Sequence, residues 1–197
     1  MRALSLLLLL TLSLPSVACE CLWQGSFADI TERVDYISHG RIVQIKGNSM
    51  DIEVLDEFKG TSYREQVRIW LKTGDLCRAE IAEFEVGEEW ILALGKIDAV
   101  PEGGFDPMTP NISYGRKGDY SLPGCGGYFL PVSNDWVSGP IIDATKWDFE
   151  PKLTPVLSRI IKGFVTGDID RETLKEATQV DPALRELMIN TRLHIKR

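Results

Sequence analysis

Residues 66–72, Gln-Val-Arg-Ile-Trp-Leu-Lys, carry the clearest structural signal in the chain. Every second residue is aliphatic, a period of two that is typical of a β-strand with one buried face, and Trp70 falls on the face opposite to Val67. Residues 50–58, Met-Asp-Ile-Glu-Val-Leu-Asp-Glu-Phe, alternate in the same way over their first half. Lys-Gly-Thr-Ser at residues 59–62 is a turn sequence. The pattern therefore predicts two strands separated by a turn.

The same reasoning predicts three more strands and a small helix. Residues 37–46 and 127–132 are strand candidates, and the apolar residues 89–95 suit a central strand. A serine that can cap a helix introduces the helical pattern of residues 26–36. Residues 98–126 are rich in Gly and Pro, which predicts a long loop. About five short strands with one small helix predict a compact β-barrel.

The C-terminal residues 151–197 follow a helical pattern instead. Apolar residues recur at spacings of three and four over residues 153–164, and residues 171–179 are also expected to be helical. Asp-Pro at residues 181–182 suits the N-cap and first position of a last helix. We therefore divide the chain after residue 18 into a barrel domain over residues 19–135 and a helical C-terminal extension over residues 151–197.

Composition and charge narrow the range of functions. A chain of 197 residues has the length of one domain, and 44% hydrophobic and 26% charged residues are ordinary for a globular protein. The net charge of −7 argues against a nucleic-acid partner, whose phosphates need a basic surface. No nucleophile elbow, zinc-protease motif or phosphate-binding loop is present, and there are only two histidines, His39 and His194. We therefore expect no enzymatic activity and no cofactor.

The N-terminus predicts export. Residues 1–18 have a short basic start that contains Arg2, then a leucine-rich run. They end with small residues at the −3 and −1 positions of a cleavage site, as signal peptides do. The apolar run is shorter than the roughly 20 residues that span a bilayer, and no later segment is a candidate span. We expect a secreted protein, extracellular or periplasmic, whose first residue is Cys19.

All four cysteines lie in the exported part of the chain, where disulfides persist. Cys19 and Cys21 have one residue between them, so a bridge joining them would form a small, strained ring. Two pairings with Cys77 and Cys125 remain, and both attach the new N-terminus to distant parts of the chain. An alternative is that Cys19 carries lipid, as in a bacterial lipoprotein, which would leave an odd number of thiols.

A family resemblance joins these features. The Cys-x-Cys sequence at the cleavage site and four strand phrases resemble a netrin-like (NTR) module, similar in plan to the N-terminal domain of the tissue inhibitors of metalloproteinases. The phrases are DYISHGRIV (35–43), IEVLDEFKG (52–60), VRIWLKTGDLC (67–77) and FEVGEEWILAL (84–94). The resemblance covers roughly residues 19–130. It implies a five-stranded OB-like β-barrel with flanking helices, and the disulfides Cys19–Cys77 and Cys21–Cys125.

The resemblance also implies a mechanism. In these inhibitors the α-amine and carbonyl of the first cysteine chelate the zinc of the protease, which keeps one coordination position open. By resemblance, Cys19 would be the residue directed at the zinc and Glu20 would enter the specificity pocket. Cys21, Leu22 and Trp23 would continue this inhibitory ridge. An ionised Glu20 would cost free energy in an apolar pocket unless a cation met it.

Because of Glu20, the favoured expectation is a netrin-like binding module that acts through protein or glycan contacts. The alternative is a metalloendopeptidase inhibitor that acts through the Cys19 α-amine, and a further alternative is a lipoprotein anchored at Cys19. The expected partner is a zinc metalloprotease or another extracellular protein.

Overall fold

The computed structural model describes residues 21–74, 76–100, 104, 112–144 and 155–179. Over these residues the strands are β1 (Tyr36–Lys46), β2 (Ser49–Lys59), β3 (Gln66–Trp70), β4 (Glu89–Lys96), β5 (Tyr120–Ser121), β6 (Phe129–Ser133), β7 (Trp136–Val137) and β8 (Val156–Leu157). The α-helices are α1 (Phe27–Ile30), α2 (Ser158–Thr166) and α3 (Arg171–Ala177), and two 3-10 turns cover Thr31–Arg33 and Ile81–Glu83.

Five of the strands close into a barrel. Strand β1 pairs antiparallel with both β2 and β4, and β2 pairs antiparallel with β3. Strand β5, which lies within the predicted loop of residues 98–126, pairs parallel with β3 and antiparallel with β4 and so closes the ring. The order β1-β2-β3-β5-β4-β1 confirms the predicted fold class, a mainly β protein with a five-stranded OB-like barrel and short helices.

Both faces of β3 carry buried side chains. Val67 and Ile69 point into the core as expected, and Trp70 on the opposite face is only 2% exposed. The segment of residues 112–119 lies over this face, and Asp119 accepts a hydrogen bond of 2.9 Å from the Trp70 indole nitrogen. The alternation identified the strand correctly, but it carried no information about a segment that covers the outer surface.

The core lies inside the barrel and extends under the first helix. Its largest fully buried side chains come mainly from the barrel strands and α1: Tyr36, Phe27, Ile30, Ile37, Ile42, Met50, Ile52, Ile69, Leu71, Ile91, Leu92 and Leu94. Helix α1 begins after Ser26 as predicted, but it ends at Ile30 and continues as a 3-10 turn before β1. Burial of this many apolar side chains supplies the main driving force for folding.

The chain after the barrel packs back onto it. Strands β6, β7 and β8 extend the sheet from the edge of β4. Ile161 of α2 and Leu174 of α3 are fully buried in the same core as the barrel residues. Helix α2 begins at Ser158, later than the apolar periodicity suggested, because the two preceding residues pair with β7 as strand β8.

Some predictions fall outside the described residues. These are the signal peptide, Cys19, Glu20 and the last helix after residue 181. Among the helices that are described, none combines the length and the apolar character needed to cross a bilayer.

Candidate functional site

The candidate site is the N-terminal segment, defined here as residues 21–25. A disulfide joins Cys21 to Cys125, with Cα atoms 5.3 Å apart, and this is one of the two bridges that the family resemblance implied. Cys77 is also disulfide-bonded. The bridge from Cys21 fixes the start of the described chain against the loop that precedes β6, at a point where a free terminus would ordinarily fray.

Backbone hydrogen bonds extend this attachment beyond the disulfide. The Gln24 N–H donates to the Cys125 carbonyl at 2.7 Å, and the Gly127 N–H donates to the Gly25 carbonyl at 2.9 Å. The hydroxyl of Tyr128 donates to the Gln24 side chain. A Cβ on Gly127 would lie 2.3 Å from the backbone nitrogen of the residue that begins α1, so only glycine permits this close approach.

A second support comes from the connection that follows β7. The N–H groups of Phe27 and Ala28 donate to the carbonyls of Pro140 and Ile141 at 2.7 and 2.8 Å. These bonds satisfy donors at the start of α1 that have no partner within the helix. The Trp23 indole nitrogen donates to the carbonyl of Ala144 at 3.2 Å, and the ring is half-buried. Trp23 therefore anchors the segment to the connection that follows β7.

The C-terminal helix α3 reaches the same region through ion pairs. The Arg171 guanidinium lies 2.8 Å from Asp29 and 2.8 Å from Asp143, and Lys175 lies 3.0 Å from Asp143. Asp29 also accepts hydrogen bonds from the backbone N–H and hydroxyl of Ser26 at 2.8 and 2.6 Å. The predicted helical extension is thus attached to the helix that follows the N-terminal segment.

These contacts lower the pKa values of two carboxyl groups. Hydrogen bonds from Lys175 and Arg171 lower the pKa of Asp143. For Asp29, partial burial acts to raise the pKa, but the hydrogen bonds from Ser26 and the contact with Arg171 outweigh it and the pKa is lowered. Both groups are therefore held in their charged forms in the folded protein.

The N-terminal segment presents one large apolar side chain to solvent. Leu22 is 82% exposed, although the residues on both sides of it are attached to the body of the protein. The side chains of this segment supply no general acid, base or nucleophile. The arrangement suits binding, because a rigid backbone loses little conformational entropy when a partner covers it.

Arg78 adds a partly buried cation close to this region, which the sequence did not reveal. Its backbone forms an isolated bridge with Pro123, and it follows Cys77 in the chain. Its Nη1 atom is buried and has no hydrogen-bond partner among the described residues. Burial lowers the pKa of this guanidinium. The alternation of apolar residues gives no signal for such a group.

The remaining polar candidates form structural contacts. His39 lies 3.1 Å from Glu89, which also pairs with Arg41 at 2.7 Å on the barrel surface. Residues 80–89 include five glutamates, and Glu88 among them accepts hydrogen bonds from the Glu85 N–H and the Trp90 indole nitrogen. Within the described ranges, no group of three or more His, Cys, Asp or Glu residues is placed to hold a metal ion.

Comparison with known proteins identifies no family for the chain. It matches no protein-family model and no curated protein. Function must therefore be inferred from the barrel and from the N-terminal segment attached to it.

Proposed function

We propose that the protein is an exported netrin-like module that binds another extracellular protein through its N-terminal segment. The observation that carries this proposal is the 82% exposure of Leu22 on a backbone held by a disulfide and hydrogen bonds. An apolar side chain in this setting gains from burial against a partner, while its backbone has already lost the freedom that binding would remove.

Two further observations support the netrin-like assignment. The barrel has the strand order expected of an OB-like fold, and the Cys21–Cys125 bridge is the pairing that the family pattern implies. Export agrees with the presence of this disulfide, because disulfides persist in oxidising compartments.

The test compares two single substitutions to alanine. Leu22→Ala removes the exposed side chain, and Leu55→Ala on β2 is the matched control, since Leu55 is also exposed, at 40%. The chain beginning at Cys19 would be immobilised and incubated with the extracellular fraction of its source, and retained proteins would be purified for affinity measurement. We expect Leu22→Ala to weaken binding by tenfold or more, about 1.4 kcal/mol, as at interface hot spots. Equal affinity of both variants would refute a contact at Leu22.

Metalloprotease inhibition is the second candidate, and the attachment of residue 21 to the barrel favours it. A fixed Cys21 limits the positions open to the two residues before it, which by resemblance would carry the zinc-directed amine. One alanine added before Cys19 would displace that amine. Inhibition of a panel of zinc metalloproteases should then be lost if chelation is the mechanism, whereas unchanged inhibition would exclude it.

Lipid attachment at Cys19 is the further alternative, and intact mass of the exported protein tests it. A mass equal to residues 19–197 less four hydrogens is expected for the secreted module with two disulfides. An added acyl mass would show the lipoprotein instead.

A further inference from the structure

A second surface lies on the wall of the barrel formed by β2 and β3. Arg64, Arg68 and Arg116 line a cavity of about 280 Å³ together with Asp51 and Asp119. We call this cavity the arginine pocket. Three cations against two anions give it a positive balance, which contrasts with the net charge of −7 of the whole chain.

The charges in the arginine pocket are unequally compensated. Arg68 makes a bidentate pair with Asp51, at 2.7 and 2.6 Å, which neutralises both groups. Asp119 accepts the Trp70 hydrogen bond and lies 3.8 Å from Arg64, a distance too long for a hydrogen bond. The Arg116 guanidinium has no hydrogen bond or ion pair with any other residue that the structure describes. Arg64 and Arg116 therefore retain donors that can meet an added anion.

Hydrogen bonds on both sides of Arg116 fix the loop that carries it. The buried Asn48 side chain donates to the Ser113 carbonyl at 2.8 Å and accepts from the Ser113 N–H at 2.9 Å. On the other side of Arg116, the N–H of Gly118 donates to the carbonyl of Ile97 at 2.8 Å. Because the loop is fixed at both sides, the pocket needs little rearrangement to bind a ligand.

We propose that the arginine pocket binds a single oxyanion group, either a carboxylate or a sulfate or phosphate monoester, carried by a small ligand. Guanidinium groups present paired N–H donors that match the oxygens of such anions. The small volume admits one acidic group and the atoms next to it. A long polyanion is disfavoured because the acidic remainder of the surface would repel it.

The pocket is separate from the N-terminal segment, so the two proposals fail independently. Leu22→Ala should leave anion binding unchanged, and loss of anion binding should leave contact at Leu22 unchanged.

The test is a titration of the chain beginning at Cys19 with simple anions. NMR monitors the amide and arginine Nε–H signals during the titration. The probes are sodium sulfate, sodium phosphate and sodium acetate, each at constant ionic strength maintained with sodium chloride. We expect saturable shifts confined to the arginine pocket. Saturation by sulfate or phosphate alone would identify a monoester ligand, and saturation by acetate alone would identify a carboxylate ligand.

Three variants sharpen the titration. Arg116→Ala should weaken anion binding about tenfold, the loss expected for one charge-assisted hydrogen bond. Arg159→Ala on the exposed surface of α2 is the matched control and should change nothing. Asp119→Asn should strengthen binding several-fold, since it removes a negative charge while its amide oxygen still accepts the Trp70 hydrogen bond. An improvement of this kind cannot result from unfolding.

Two outcomes would overturn the proposal. One is a set of shifts that grow linearly with every anion and never saturate. The other is an equal effect of Arg116→Ala and Arg159→Ala, which would mean that the anions respond only to the general charge of the surface.

Discussion

The barrel wall and the N-terminal segment are both rigid, but for different reasons. In the wall, β1 and β2 pair along their length and bury aliphatic side chains such as Ile52. The N-terminal segment pairs with no strand along its length. It is fixed by one disulfide and by hydrogen bonds to residues that precede β6 and follow β7. The β1–β2 pair joins strands that are adjacent in sequence, whereas the N-terminal segment depends on residues distributed over most of the chain.

This difference bears on function. The barrel shares its core with α2 and α3, whereas the orientation of Leu22 depends on the Cys21–Cys125 bridge and on the hydrogen bonds of residues 23–25. Helix α3 also reaches this region, because Arg171 pairs with Asp29 of α1, the helix that follows the N-terminal segment.

The largest expected change in the free energy of unfolding comes from a substitution in the barrel core. Ile52→Ala removes a fully buried side chain and should lower the free energy of unfolding by about 2–5 kcal/mol. Leu55→Ala on the same strand should change it by no more than about 0.5 kcal/mol, because Leu55 is 40% exposed. Urea denaturation of both variants measures the contrast. Similar losses for the two would contradict the placement of Ile52 in the core.

The second-largest effect is expected when the attachment of the N-terminal segment is removed and the barrel strands are left unchanged. The double variant Cys21→Ser with Cys125→Ser removes the covalent attachment and should lower the free energy of unfolding by about 2–4 kcal/mol. Hydrogen exchange should show the amides of Gln24 and Gly127 losing protection far more than that of Ile52. Unchanged protection at Gln24 would mean that the hydrogen bonds alone hold the segment.

The smallest expected effect is a loss of helix α3 stability at acid pH. Since the pKa of Asp143 is lowered in the folded protein, its contribution is complete above the ordinary carboxyl value of about 3.9 and is lost as the pH falls through the lower folded value. Amides of α3 should therefore lose protection below about pH 4, before those of the barrel. The effect should be modest, because these ion pairs are partly exposed to solvent.

Asp143→Asn is the matched variant for this prediction. Asp143 has a backbone φ of 52°, in the left-handed region, and asparagine tolerates that conformation. The variant should show α3 protection that is lower at neutral pH and less dependent on acid. An acid response identical to that of the unmodified chain would assign it to other carboxyl groups.

The sequence by itself determined the five longer strands, because alternation is a local property, but it did not identify the two-residue strands β5, β7 and β8. The β3 pattern and the apolar run of β4 identified their elements, and the family resemblance implied the closed barrel and the Cys21–Cys125 bridge. The cap at Ser26 likewise located the start of α1, since an N-cap depends on residues within one helical turn.

Only the tertiary structure decided which surfaces are covered and which distant groups meet. Trp70 is buried because residues 112–119 lie over it, and α2 starts late because the residues before it pair with β7. The contact of Arg171 with Asp29 and the convergence of Arg64, Arg68 and Arg116 join residues that share no periodicity. The alternation of apolar and polar residues indicates on which face of its own strand each residue lies. It does not report which segment packs against that face, and at the N-terminal segment and the arginine pocket those packing partners determine the chemistry.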